Sequence, residues 1–223
     1  MKITFIKHSC YTVETENNFL IFDYIGGKLN FPENKKVFFF VTHRHQDHFS
    51  SEIFNYKANH YIISDDTKTP APLNTTFVSP DKTYEIEGLS IKTSGSTDEG
   101  VAFYVNVDST GILHSGDLNH WVWDRYSKEE HEHMKVWFQS EVDKFKNEKI
   151  DIVMMVVDPR MKDSYYLTGK YILENINAKY YFPMHMWEDF EISKRFKDRF
   201  QNDFKNKNIM VVSHDNEEFN IDL

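Results

Sequence analysis

At 223 residues, with 40% hydrophobic and 16% aromatic side chains, the chain carries ample apolar material for a packed core and reads as one globular domain spanning 1–223. A formal charge of −9 and a pI near 5.6 repel a phosphate backbone at long range, which disfavours nucleic acid as a partner. The single cysteine, Cys10, excludes an intramolecular disulfide and a cysteine-based zinc site; no apolar run approaches the roughly 20 residues of a membrane span, and early charge at the N-terminus argues against a secretory signal, so a cytoplasmic protein free of the membrane is expected.

Alternating side chains predict two opening strands, Lys2 to Thr12 and Phe19 to Tyr24, joined by the polar turn Glu14 to Asn18. A strand over Lys36 to Thr42 feeds a polar cluster and then a short helix near Ile53 to Lys57, a βα unit. Short strands follow at Tyr61 to Ser64, Thr76 to Val78, Tyr84 to Ile86 and Leu89 to Thr93. Val101 to Val107 and Gly111 to His114 form a strand pair that ends at Ser115-Gly116-Asp117. From Lys128 to Lys149, Met134, Phe138, Val142 and Phe145 recur at helical spacing. His131 and His133 in that stretch are two apart, share no helix face and read as solvated. Ile150 to Val157 is a continuous apolar run, the pattern of a strand covered on both faces, and Tyr180 to Met184 is another strand. Helices are expected near Lys170 to Asn175 and Ser193 to Phe204, and the tail returns to strand at Ile209 to Val212 and Glu218 to Ile221. Strands and helices interleaved in this way point to a layered α/β domain with the sheets inside.

The chemistry concentrates at His43-Arg44-His45-Gln46-Asp47-His48, directly behind the apolar run Val37 to Val41. Extended backbone sends His43 and His45 to one side, and the following turn can bring Asp47 and His48 toward a neighbouring point, so two metal half-sites can grow from one loop. Imidazoles with one carboxylate suit zinc and its neighbours, in hydrolytic more than in structural sites. Two further polar positions, Asp117 and His185, stand at the ends of separate strands, where ligand-bearing loops of layered α/β folds gather. Cys10 reads as a small buried residue, not a nucleophile, and no Gly-x-Ser-x-Gly turn supports a serine hydrolase.

The His-x-His-x-Asp-His motif, together with Ile6 to Cys10, Ser94 to Gly100, His114 to Asp117, Asp158-Pro159-Arg160 and Pro183-Met184-His185, resembles the metallo-β-lactamase superfamily, in particular its lactonase-like single-domain branch that includes L-ascorbate-6-phosphate lactonase relatives. The resemblance implies an αββα sandwich of four layers. It implies that His43 and His45 hold one metal, that Asp47, His48 and His185 hold a second, and that Asp117 bridges them. Asp23 matches an aspartate beneath the ligand loop that orients an imidazole or the loop backbone. Many members supply a third histidine to the first metal; here the corresponding turn, Gly95-Ser96-Thr97, offers Ser96, a poor zinc ligand, leaving Asp98, His8 and His120 as candidates to complete that site. His114 is unsuited, because it lies three residues before Asp117 and faces the other way in an extended strand. One or two zinc ions are the implied cofactor, with manganese or iron as alternatives. The implied reaction is metal-dependent hydrolysis of a small-molecule lactone, ester or phosphoester by a metal-bound hydroxide, with Asp47 as the catalytic carboxylate. His8, Arg160, Trp121 and Trp123 are candidates for the substrate pocket, Arg160 as a bidentate partner for a carboxylate or phosphate. The alternatives are a metal-binding member without turnover and a nuclease-like phosphodiesterase.

Overall fold

The computed structural model describes residues 1–223 and contains two seven-stranded mixed sheets with few helices. The first sheet has the order β14-β1-β2-β3-β4-β5-β6, built from β1 (Lys2–Lys7), β2 (Cys10–Glu14), β3 (Asn18–Phe22), β4 (Lys36–Val41), β5 (His60–Ser64), β6 (Thr75–Val78) and β14 (Glu217–Asn220). The second has the order β13-β12-β11-β10-β9-β8-β7, built from β7 (Thr83–Ile86), β8 (Leu89–Gly95), β9 (Val101–Val107), β10 (Thr110–His114), β11 (Ile152–Val156), β12 (Tyr180–Met184) and β13 (Asn208–Ile209). In each sheet the outer meander is antiparallel and the strands leading to the polar loops run parallel: β3 to β6 in the first, β10 to β13 in the second.

Strand alternation decides the layering. Leu20, Phe22, Phe38, Phe40 and Ile62 face the second sheet and join the main core, while Ile21, Phe39, Val41 and Ile63 point outward into a smaller cluster. That outer cluster is covered by Ile53 and Phe54 of a 3₁₀ segment, Ser51–Asn55, and by Tyr56 just after it, where the sequence predicted a short helix near Ile53 to Lys57. Outside the second sheet lie α1 (Lys128–Asp143) and α2 (Leu167–Asn175), and α3 (Glu191–Phe200) adds Ile192, Phe196 and Phe200 to the main core. α1 begins at a capping box, Ser127 with Glu130, and stops at Asp143, short of the predicted Lys149. The arrangement is the expected α/β sandwich of two sheets between helical layers. No helix is long and apolar enough to cross a membrane.

The predicted tail strand Ile209 to Val212 is only Asn208–Ile209, and the opening strand departs further from expectation. Lys2 to Thr12 is a hairpin, not one strand: the chain reverses at His8 and Ser9, with Lys7 paired to Cys10 and His8 at φ 51°. Histidine tolerates this left-handed conformation better than bulky or β-branched residues, and no Gly, Asn or Asp announces the turn. The reversal places His8 at the sheet end, where its carbonyl accepts the His185 backbone N–H (3.0 Å). The two sheets are tied together nearby by Tyr11 Oη donating to Pro183 O (2.6 Å) and Val101 N donating to Thr42 O (2.9 Å).

Candidate metal centre

The polar loops converge because each follows a strand of the double sheet. Asp23 follows β3, His43 to His48 follow β4, Asp98 follows β8, Asp117 follows β10, Asp158 follows β11 and His185 follows β12. Their donor atoms form two groups, each with all atoms within 4.8 Å of one another: His8, Asp47, His48 and His185; and His43, His45, Asp98 and Asp117. Asp117 lies between them. Its Oδ1 is 3.0 Å from His48 Nε2 and 3.2 Å from His185 Nε2, and its Oδ2 is 3.7 Å from His43 Nε2.

Hydrogen bonding fixes which ring nitrogens face inward. A carboxylate only accepts, so His48 Nδ1 donates to Asp23 Oδ2 (2.7 Å) and His185 Nδ1 donates to Asp158 Oδ2 (2.9 Å), which in the neutral rings leaves the lone pair on each Nε2. Thr42 Oγ1 gives its proton to Asp23 Oδ2 (2.7 Å) and therefore accepts from His43 Nδ1 (3.0 Å), which frees His43 Nε2 in turn. His45 Nε2 lies 3.3 Å from Glu99 Oε2, itself paired with Arg44, while His45 Nδ1 faces His43 Nε2 at 3.1 Å and Asp98 Oδ2 at 3.4 Å. The result is a set of buried atoms without hydrogen-bond partners: Nε2 of His8, His48 and His185, and Oδ1 of Asp117. Buried polar atoms are ordinarily satisfied, and several orphans converging on one point fit a cation.

Electrostatics agree. Burial opposes charge on His48, yet the carboxylates of Asp117 and Asp23 outweigh it and raise its pKa well above the ordinary 6.5. His185 is raised likewise against burial, by Asp117 and Asp158. Burial would raise Asp117, but His48 and His185 hold it well below the carboxylate range. His43 has no comparable partner, and burial, reinforced by His48, pushes it down to about 4. Burial and the neighbouring Asp117 carboxylate raise Asp98. Local backbone strain gathers here too: His8, Asp23 and His185 all have positive φ (51°, 47° and 66°).

Of the three candidates to complete the first site, the structure brings only Asp98 beside His43, His45 and Asp117; Ser96 Oγ accepts the Asp98 backbone N–H (3.2 Å) and so positions it. His8 stands in the other group. His120 stands in neither, because its backbone N–H is held by Thr168 Oγ1 (2.8 Å) and its ring stacks on Phe138. His114 is turned away, its Nε2 on Ser9 O (2.9 Å). His131 is half-buried with Nε2 on Trp123 O (3.1 Å), which departs from the solvated reading, and His133 is exposed. Sequence reasoning did not assign roles to Asp158, Thr42 or Glu99. A carboxylate at the end of the apolar run to Val157 was the available signal for Asp158; Thr42 stands beside His43, but its link to Asp23, and the pairing of Glu99 with His45, join residues distant in sequence.

A cavity of about 380 Å³ opens beside the second group, walled by Phe5, Ile25, Met186, Trp187 and Phe190 and reaching His8 and Asp47. Arg160 is not part of that lining, but its guanidinium lies 4.6 Å from the Trp187 ring.

Residues 2–185 match the family model of the β-lactamase superfamily domain. A search of curated proteins returned no match. Among solved structures, the chain is similar to Igni18, a metallo hydrolase from Ignicoccus hospitalis KIN4/I, at 13% identity and TM-score 0.64, covering 99% of each chain. It is similar to YhfI of Bacillus subtilis, described as a metallo-β-lactamase fold protein, at 13% identity and TM-score 0.59, over 98% of this chain and 99% of that one. It is also similar to CmlA, a diiron β-hydroxylase from Streptomyces venezuelae, at 9% identity and TM-score 0.67; 99% of this chain is covered, but it spans only 54% of CmlA. At such identities the likeness is one of fold. Together with the match over residues 2–185, it places this chain in the metallo-β-lactamase superfamily.

Proposed function

We propose that this protein is a metal-dependent hydrolase of a small-molecule lactone, ester or phosphoester. The observation that carries the reading is the inward set of unpaired donors, Nε2 of His8, His48 and His185 with Oδ1 of Asp117, each of the last two histidines backed by a carboxylate on its outer nitrogen. In this reading His43, His45, Asp98 and Asp117 hold one ion, and His48, His185 and Asp117 hold the other with Asp47 and His8 beside it. A site of two histidines and two carboxylates is harder than the three-histidine pattern, which widens the choice from zinc to manganese or iron. When bound, such ions lower the pKa of water and polarise a carbonyl or phosphoryl oxygen.

The chain's own residues supply the remainder. Asp47 sits at the cavity wall, with Oδ2 3.5 Å from His8 Nε2 and 3.9 Å from His185 Nε2. Burial would raise its pKa, but the adjacent His8 imidazole and the charge of His48 overcome that and hold it below the usual range. Asp47 is thus ionised at neutral pH and placed to orient an attacking water by accepting its hydrogen bond. The apolar side chains of the cavity offer a surface for the substrate body, and the volume suits a small molecule.

Elemental mass spectrometry on protein reconstituted with zinc, manganese or iron, paired with hydrolysis assays on lactone, carboxyl-ester and phosphoester panels, tests this. Two ions per chain with turnover that chelator abolishes and His48→Ala removes is the expected result. Bound metal with no turnover on any panel would favour a binding protein that does not hydrolyse.

A further inference from the structure

Arg160 is separated from the donor histidines by a single carboxylate. Its Nε approaches Asp158 Oδ1 and Oδ2 (3.1 and 2.9 Å) and its Nη2 donates to Asp158 Oδ2 (2.6 Å), the same oxygen that holds His185 Nδ1. The guanidinium is also caged by aromatic rings, 4.6 Å from Trp187, 5.4 Å from Trp123 and 5.7 Å from Trp121. Trp187 in turn packs on His8 (4.7 Å), whose ring borders the cavity.

This arrangement immobilises one edge of the guanidinium and leaves the other free. Nη1 and the second Nη2 proton have no protein acceptor, and 40% of the side chain is open to solvent. An arginine that served only to neutralise Asp158 would need neither three tryptophans to hold its plane nor an open fork. The shallow depression beside Arg160 is lined by Arg125, Arg160 and Lys162 with Asp124; Asp124 pairs with Lys162 and Asp158 with Arg160, which leaves Arg125 as the unpaired positive charge on a chain of net −9. Arg125 has no carboxylate partner and stacks over Trp123 and Tyr126.

We infer that the free edge of Arg160 receives an anionic group of the substrate, a carboxylate or phosphate, so that the molecule hydrolysed at the proposed metal centre is an anion oriented by a pre-held arginine. This rests on the hydrolase reading and narrows its substrate class. Arginine's planar fork suits such a group, and its entropy cost is reduced because Asp158 and the rings already fix the side chain. Asp158 then links substrate recognition to His185, because one carboxylate oxygen serves both.

The test uses the full-length protein, metal-loaded and chelator-stripped in parallel, titrated with inorganic phosphate and separately with acetate at constant ionic strength. Tryptophan fluorescence is the readout, since three of the chain's four tryptophans border Arg160. Saturable phosphate or acetate binding is expected in both preparations, weakened about tenfold in Arg160→Met, the size of one lost charge-assisted bond. Arg160→Lys keeps the charge beside Asp158 but not the second edge, and is expected to bind several-fold more weakly while folding normally; it decides the matter where Arg160→Met does not fold. Tighter acetate would identify a carboxylate site and tighter phosphate a phosphate site, either supporting the inference. No saturable binding, or equal midpoints in wild type and both variants, would overturn it. Metal content measured after loading separates the two readings: two ions retained with no anion binding in either preparation overturns the inference alone, and anion binding in a protein that retains no ions after loading overturns the hydrolase reading alone.

Discussion

Asp23→Asn removes one charge and changes almost nothing in shape. Asp23 is fully buried, and its carboxylate accepts from the Thr42 backbone N–H (2.8 Å), Thr42 Oγ1 (2.7 Å) and His48 Nδ1 (2.7 Å). Asparagine tolerates the φ of 47° as well as aspartate does, so the backbone is not a confounding strain. The amide offers only one acceptor oxygen. If that oxygen stays on the Thr42 N–H, the amide NH₂ faces Thr42 Oγ1 and His48 Nδ1, and His48 must surrender its Nδ1 proton and take one at Nε2. That nitrogen then has no lone pair for a metal. Loss of one or two charge-assisted bonds in a dry site costs about 2–4 kcal/mol, and outer partners of metal-bound histidines typically account for about 10–100-fold in metal affinity. Urea denaturation of the chelator-stripped protein reads the first quantity, and competitive metal titration reads the second. A variant within about 0.5 kcal/mol of wild type that also binds metal equally well would refute the reasoning, because it would mean that Asp23 sets neither the His48 tautomer nor the loop.

Four further outcomes are expected. Asp117→Ala should strip both ions, with affinity down at least ~10–100-fold, whereas His131→Ala should leave metal content unchanged; both are read by elemental mass spectrometry. Asp98→Asn should lower occupancy of one ion only, and Ser96→His on that background should restore it, since the imidazole would supply the donor that the neutral amide no longer offers. In the metal-free protein, His48 and His185 have folded pKa values above their ordinary 6.5, so the stability they contribute is fully present below pH 6.5 and is lost as pH rises through the raised values; with metal bound the trend reverses at low pH, because protonation displaces the ion, and denaturation midpoints across pH with and without zinc distinguish the two. Gly100→Ala should destabilise by at least ~2 kcal/mol, measured by urea melts: at φ 67° an added Cβ would lie 2.0 Å from Thr42 O and 2.7 Å from His43 Cβ, pushing on the ligand loop itself.

Local pattern was enough for much of the fold. Alternation and apolar runs marked nearly every strand, Tyr180 to Met184 to the residue, because the side-chain period of a sheet is written directly in the sequence. The dense cluster from His43 to His48 marked the site, because its donors lie within a few residues of one another. The His8 turn was not legible, since the preference of neighbouring residues for extended backbone masks one reversal, and with it went the position of His8. Neither were Asp158 behind His185, Thr42 relaying Asp23 to His43, nor the meeting of Arg160 with three tryptophans. These pairings join residues far apart in the chain, and no local propensity encodes them. Donor types, and the strands that carry them, are written in the order of residues; which nitrogen of each histidine faces inward and which carboxylate completes each group depend on hydrogen bonds made only when the two sheets close on each other.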